Sequence, residues 1–239
     1  TYSGVLLVWS TPSILAAISW WVFVKNPRLI QVPGTQPVGY IPTFRRVIGN
    51  RTLWLIGILF FLHNFFFYTW AGWASLLMQQ KGASPELAGL LTSVLVWVSI
   101  PALLLMPQLS YKIGLRKPFL WGTGVLLGIC AWLIISSSLQ WCWIIMAIVG
   151  IANSTRFQTI LALPVETMPS ELVGSASGLI IAVGSSGAIL GPIFGGHILD
   201  VTQSLRLSLL ALVFTSLVAV GLAFAIPETG SKNRGGKND

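Results

Sequence analysis

Seven stretches of about twenty apolar residues follow one another along this chain, each long enough for a helix rising ~1.5 Å per residue to cross a ~30 Å hydrocarbon slab. A segment in lipid must satisfy its own backbone, so these stretches are read as transmembrane helices. They cover residues 5–24, 53–78, 84–106, 118–136, 141–164, 172–199 and 205–226. With 54% hydrophobic and only 8% charged residues, and a mean hydropathy of +0.81, the chain lies outside the soluble range.

A formal net charge of +8 would suit nucleic acid in a soluble domain, but here its distribution is topological and no nucleic-acid partner is expected. With loops assigned alternately to the two sides of the bilayer, Lys25, Arg28, Arg45, Arg46, Arg51, Lys112, Arg116, Lys117, Lys232, Arg234 and Lys237 share one side. Only Lys81 and Arg206 fall on the other. The positive-inside bias then puts the first loop, the third loop and the C-terminus in the cytoplasm and Thr1 outside, as in a multi-pass protein of the plasma (inner) membrane. The remaining cation, Arg156, falls within a span. Cys130 and Cys142 lie in apolar helical sequence and read as small buried hydrophobes rather than a disulfide or metal pair. Trp20, Trp21, Trp54, Trp121, Trp141 and Trp143 stand at span ends, where an amphipathic ring suits the headgroup boundary.

The longest connection, residues 25–52, holds Pro27, Pro33, Gly34, Pro37, Gly39 and Pro42 and reads as a linker between two bundles. Its last part, IPTFRRVIGNRTLW, sets Phe44, Val47 and Ile48 on one helical face with Arg45, Arg46 and Arg51 elsewhere. That pattern fits a short helix on the inner membrane surface and a solvated basic loop equally. An odd number of spans, opening at Thr1 with no initiator Met, reads as the back portion of a longer polypeptide whose N-terminal half is missing here. The six spans after the linker divide into three plus three, and an odd number in each triplet inverts the second relative to the first.

Between the third and fourth spans stands LSYKIGLRKP, within an eleven-residue turn (107–117) that carries Lys112, Gly114, Arg116 and Lys117. Gly114 permits a tight reversal, and the cations suit an anionic surface or facing helix ends. In the sixth of the spans after residue 1, Gly187, Gly191 and Gly195 recur every four residues, as do Gly174 and Gly178. This stacks small residues on one face for backbone-close packing, and Pro192 weakens the helical ladder there; a structural role and a place in a moving interface both fit. The LSYKIGLRKP segment resembles the cytoplasmic motif of the major facilitator superfamily, in which an acid precedes a basic residue, a glycine and a basic pair. Tyr111 occupies the acidic position and Pro107 that of the leading glycine; a positive-inside loop is the plainer reading. GAILGPIFGG resembles the superfamily's glycine and proline motif. LPVETMPSELVGSASG and PETGSK resemble its corresponding loop and terminal sequences, with Glu166 and Glu171 where a basic residue is often found.

In order, these resemblances cover the chain and number its spans as the sixth to twelfth of a twelve-helix transporter. They imply an all-α membrane protein: the last helix of an N-terminal bundle (1–24), a cytoplasmic linker (25–52), a C-terminal six-helix bundle (53–226) and a cytoplasmic tail (227–239). They also imply secondary active transport by alternating access, with a charge network around the basic motif latching one conformation.

A polar island, GIANSTRFQTILALP, interrupts the fifth span. Arg156 is eight residues from Pro164, ~12 Å along the axis, and an Arg at such depth costs ~2.5–3.5 kcal/mol on insertion scales. Asn153 and Thr159, three residues to either side, share its face, so a cavity-lining stripe is geometrically natural. A bond to a neighbouring helix's carbonyls, or an inward snorkel, would also serve. In the second span Asn64 and Tyr68 share a face at i, i+4, with His63 and Phe67 adjacent. An aromatic wall with a few donors suits a small organic solute, and phenylalanines facing lipid produce the same composition. His63 fits a hydrogen-bonded structural role and a proton-linked role equally. The resemblance makes these spans the seventh and tenth helices, which line the superfamily's central cavity.

All six acids, Glu86, Glu166, Glu171, Asp200, Glu228 and Asp239, fall in loops or at span ends. Arg156 thus has no deep carboxylate in this chain, and an anionic substrate, organic or inorganic, is its simplest partner. Seven spans with an outside N-terminus also describe a receptor or a retinal protein. The last span holds no lysine for a Schiff base, and the long linker and motif order disfavour a receptor. An intramembrane enzyme needs a catalytic set, but no carboxylate lies deep, and His63 and His197 lack ligand spacing. No catalysis, metal or cofactor is expected. The reading is transport of a small solute, an anion first, with a proton as a candidate coupling ion; the alternative is a drug/proton antiporter of the same superfamily.

Overall fold

A computed structural model describes residues 2–23 and 40–230, and every regular element among them is an α-helix. Most of the expected linker and the end of the expected tail lie outside the described residues. The first unit holds α1 (Tyr2–Phe23), which runs through Pro12 and is about 33 Å long at the helical rise. The second unit opens with α2 (Tyr40–Ile48) and continues with α3 (Arg51–Gln80), α4 (Pro85–Ile113), α5 (Lys117–Ser136), α6 (Leu139–Thr167), α7 (Ser170–Thr202) and α8 (Leu205–Ala225). These last six are long and apolar enough to cross a membrane.

Local chemistry sets the helix ends. Asn50 Oδ1 accepts from the N–H groups of Thr52 and Leu53 at the start of α3, and Ser84 Oγ accepts from Leu87 N ahead of Pro85 at the start of α4. The eleven-residue turn expected before α5 is a correction: only residues 114–116 lie outside helix. α4 runs on through Pro107 and stops where Gly114 turns left-handed (φ 72°) with its N–H on Ser110 O and Tyr111 O. The weak point expected at Pro192 does not interrupt α7, which is continuous from Ser170 to Thr202.

Leucine gains nothing by leaving lipid tails for another helix, so association in a bilayer relies on close fit and polar contacts. The chief helix pairs are α3 with α7, α4 with α6 and α5 with α8, joining each helix of the first triplet to one of the second. Each pair is seated on glycine. A Cβ at Gly191 of α7 would lie 2.6 Å from Phe65 O of α3; at Gly187 it would collide with Phe61 O. Gly150 of α6 meets Leu95 O of α4 at 2.5 Å on the same test, and Gly124 of α5 meets Val220 of α8 at 2.7 Å. The second small-residue stripe behaves differently, since Gly174 and Gly178 have no neighbour within 4 Å and face outward.

Two apolar clusters fill the bundle. One centres on Trp70, Leu91, Leu127 and Met146, the other on Ile56, Phe60, Ile160 and Ile180. The end of the linker segment is helical rather than a loop, but only Val47 of its apolar face packs into the second cluster; Phe44, Ile48, Arg45 and Arg46 stay exposed. Cys130 and Cys142 are free and buried.

Gly191→Val should overpack the α3–α7 contact and cost about 1–3 kcal/mol, whereas Gly178→Ala should stay within about 0.5 kcal/mol of the parent. Thermal melting of both variants in detergent checks the contrast; equal Tm values would overturn the seating.

Candidate functional site

Between the two apolar clusters lies a layer of buried polar side chains. His63 and Asn64 come from α3, Asn153, Ser154, Thr155, Arg156 and Thr159 from α6, and Thr215 and Ser216 from α8. Along each of these helices the polar residues fall between positions belonging to one cluster and positions belonging to the other, which puts the layer at mid-height. Most hydroxyls are satisfied locally. Ser154 donates to Gly150 O at 2.6 Å, Thr155 to Ile151 O at 2.6 Å, Thr159 to Thr155 O at 2.8 Å and Thr215 to Ala211 O at 2.8 Å. Left without a protein partner are His63 Nδ1, Asn153 Oδ1, Arg156 Nε and Nη2, and Ser216 Oγ. Such atoms are costly in a low-dielectric interior unless something else engages them.

Arg156 is 1% exposed and directs its guanidinium across to α5, where Gly124 offers no side chain: a Cβ there would sit 3.6 Å from Nη1. His63, also 1% exposed, lies with ring centroids 6.0 Å from Phe60 and 5.9 Å from Phe157, the residue that follows Arg156 on α6. Asn153, Arg156 and Thr159 do share a face, as their spacing demands. That face turns into the bundle, where all three are buried, and the Thr159 hydroxyl is spent on its own helix. Asn64 and Tyr68 are not brought together. Asn64 Nδ2 donates to Gly184 O of α7 at 3.0 Å, while Tyr68 is 46% exposed. Residues four apart differ by about 40° around a helix, so the edge of the α7 contact falls between them.

A second polar constellation closes one end of the bundle. Arg116 Nη2 and Nε contact Glu166 Oε1 at 2.7 and 3.0 Å, Arg116 Nη1 donates to Ser110 Oγ at 2.7 Å, and Thr229 Oγ1 donates to Glu166 Oε2 at 2.6 Å. The Glu228 carboxylate accepts the backbone N–H groups of Arg116, Lys117, Thr229 and Gly230 at 2.6 to 3.1 Å. Lys117 Nζ donates to Phe224 O at 3.0 Å, near the C-terminus of α8, where the dipole favours a cation. Lys112 is exposed. This seam ties the α4–α5 turn to the ends of α6 and α8. At the opposite end, Lys81 donates to Ile135 O in the last turn of α5 and to Ser137 O just past it.

Tyr111, at the position where the motif has its acid, is 72% exposed. The acids come instead from Glu166 and Glu228, which sequence reasoning left unassigned. Both stand at span ends on the cation-rich side, and that charge complementarity was the available signal. Partial burial pushes the Glu228 carboxyl up, but the four N–H donors outweigh it and hold it below the ordinary 4.5. Among the described residues no group of three His, Cys, Asp or Glu side chains is placed to hold a metal ion.

Six apolar helices around a polar mid-layer, closed at one end by a charged seam, define a multi-pass membrane protein. The chain belongs to the major facilitator superfamily, whose family profile matches residues 1–192 and 73–239. It is 25% identical over 178 residues to the uncharacterized transporter YycB of Bacillus subtilis (strain 168), covering 73% of this chain and 44% of that protein. It is 23% identical over 223 residues to the cyanate transport protein CynX of Escherichia coli (strain K12), covering 93% and 56%. The chain thus spans about half the length of the curated relatives it matches.

A carboxyl held below its ordinary value contributes stability above that value and loses it as pH falls through the folded value. Acidification below 4.5 should therefore lower the Tm of the bundle, with a flatter pH profile in Glu228→Gln. Arg116→Gln should cost about 1–3 kcal/mol at neutral pH, because it strands a half-buried carboxylate. Melting curves across pH read both effects, and superimposable profiles would refute the seam's contribution.

Proposed function

We propose that this chain is the rear part of a secondary active transporter that carries a small anion across the plasma membrane by alternating access. In this reading residues 1–24 end a first bundle, 25–52 link it to the second, and 53–226 form the second. The cation asymmetry supports placing the Arg116 seam and the C-terminus in the cytoplasm.

The observation that carries the anion is Arg156. Its Nε and Nη2 are buried with no protein partner, and no acid among the described residues pairs with it. A desolvated guanidinium forms strong, paired hydrogen bonds with oxyanions and similar groups, and its fork fixes their orientation. Gly124 makes room for the guanidinium itself, and Ser216 Oγ, one helical turn further along the same α5–α8 contact, offers a further unused donor. The name of the Escherichia coli relative speaks of cyanate, a small anion, in keeping with this chemistry. Asn153, Thr159, His63, Asn64 and Tyr68 complete the proposed binding region, the first four as its walls and Tyr68 at its exposed edge. Since Arg156 is enclosed in this arrangement, a solute reaches it when helices of the bundle shift, which is what alternating access supplies. The seam of Arg116, Glu166 and Glu228 then favours one of the two states, with Lys112, Gly114 and Lys117 in and beside the turn that carries it, and the α7 segment of Gly187, Gly191, Pro192 and Gly195, packed on α3, taking part in the moving interface.

Arg156→Gln in the full-length transporter, at normal membrane abundance, should lower uptake of cyanate or nitrate at least about tenfold, the loss of ~1.4 kcal/mol or more of binding. Unchanged anion uptake in that variant would remove the proposal.

A further inference from the structure

We propose that His63 carries the proton that travels with the anion, so that one negative charge held between Arg156 and His63 couples anion binding to protonation of the imidazole. This rests on the reading of Arg156 as the anion's cation.

Several observations meet at this residue. His63 is fully enclosed, its Nδ1 has no protein partner, and its flanks are the rings of Phe60 and Phe157. The structural task at this level of α3, bonding to α7, is performed by the neighbouring Asn64 through Gly184 O. His63 is therefore free of that duty. Its charged neighbourhood is also simple. Of the helices packed on α3, α6 brings Arg156 to mid-height and holds Glu166 near its end, paired with Arg116, while α7 has Glu171, His197 and Asp200, α4 has Glu86, Tyr111 and Lys112, α8 has Arg206 and α2 has Arg45 and Arg46, these last all exposed and near their helix ends. On α3 itself Arg51 and Tyr68 are exposed.

With the site empty, a proton on His63 would add a second positive charge to the buried polar layer that already holds Arg156, which a dry interior disfavours. An anion seated against Arg156 reverses the balance by offering the imidazolium a partner. By linkage the effect is reciprocal: the proton must strengthen anion binding by the same factor that the anion strengthens proton binding. The proton is taken from water on the loading side by the basic imidazole nitrogen and returned to water on the other side. Arg156 alone, and Arg156 with protonated His63 and a monovalent anion, carry the same net charge. The rocking site thus crosses the low-dielectric region at equal charge whether loaded or empty, and the net movement is electroneutral.

The test uses the full-length transporter in liposomes with nitrate and cyanate as probes and the membrane potential clamped. An inside-alkaline step of about one pH unit should raise steady-state anion accumulation about tenfold, with one proton entering per anion. Accumulation should not follow an imposed potential. In His63→Gln, proton entry and the response of anion accumulation to the pH step should both disappear, and whatever anion movement is left should follow an imposed potential. If that variant does not reach the membrane, His63→Asn is read in the same way. Anion movement in the parent without proton entry would overturn the coupling and leave the Arg156 reading standing, and proton entry persisting in His63→Gln would overturn the assignment to His63. Failure of the parent to move either anion would sink both readings.

Discussion

Backbone-close contact between helices is the constraint on which the rest of this bundle depends. In lipid a helix surface gains little by exchanging hydrocarbon for leucine, so each pair must come near enough for dispersion and polar contacts to accumulate. Glycine at each of the three chief contacts allows this, with Gly187 and Gly191 against the α3 backbone, Gly150 against that of α4, and Gly124 and Gly128 against α8. The same approach arranges the polar layer. Bringing α7 onto α3 puts Gly184 O within reach of Asn64, and the absence of a side chain at Gly124 leaves room for the Arg156 guanidinium.

Two arginines show how differently one side chain is used in this fold. Arg116 sits where water and carboxylates are at hand, and its fork is taken up by Glu166 and Ser110 while its backbone helps hold Glu228. Its charge is balanced within the protein and closes one end of the bundle. Arg156, at mid-height, has neither acid nor carbonyl on Nε and Nη2. A residue so costly to bury, set among unpaired groups from three helices, is the chemical reason for looking there for a small anion.

The two constellations are linked through α6, which carries Arg156 near its centre and Glu166 near its end. A rigid-body shift of this helix therefore moves the polar layer and the charged seam together. Such a shared element gives the proposed binding region and the proposed latch a common route of communication without any further contact between them.

Much of the architecture was legible in the residues. Runs of apolar sequence determined the membrane-spanning helices, because hydrocarbon admits few ways to satisfy a backbone, and the depth of Arg156 and the glycine period followed from counting along them. The direction of each face was not legible. Whether the Asn153, Arg156 and Thr159 stripe opens outward, whether Asn64 and Tyr68 look the same way, and which of two glycine stripes is covered all depend on where neighbouring helices stand. Local sequence carries no rotation angle relative to a partner in lipid, since apolar residues are accepted on every side. The partners of Arg116 were hidden for a similar reason: Glu166 and Glu228 are 50 and 112 residues away along the chain, and only folding brings them to the turn.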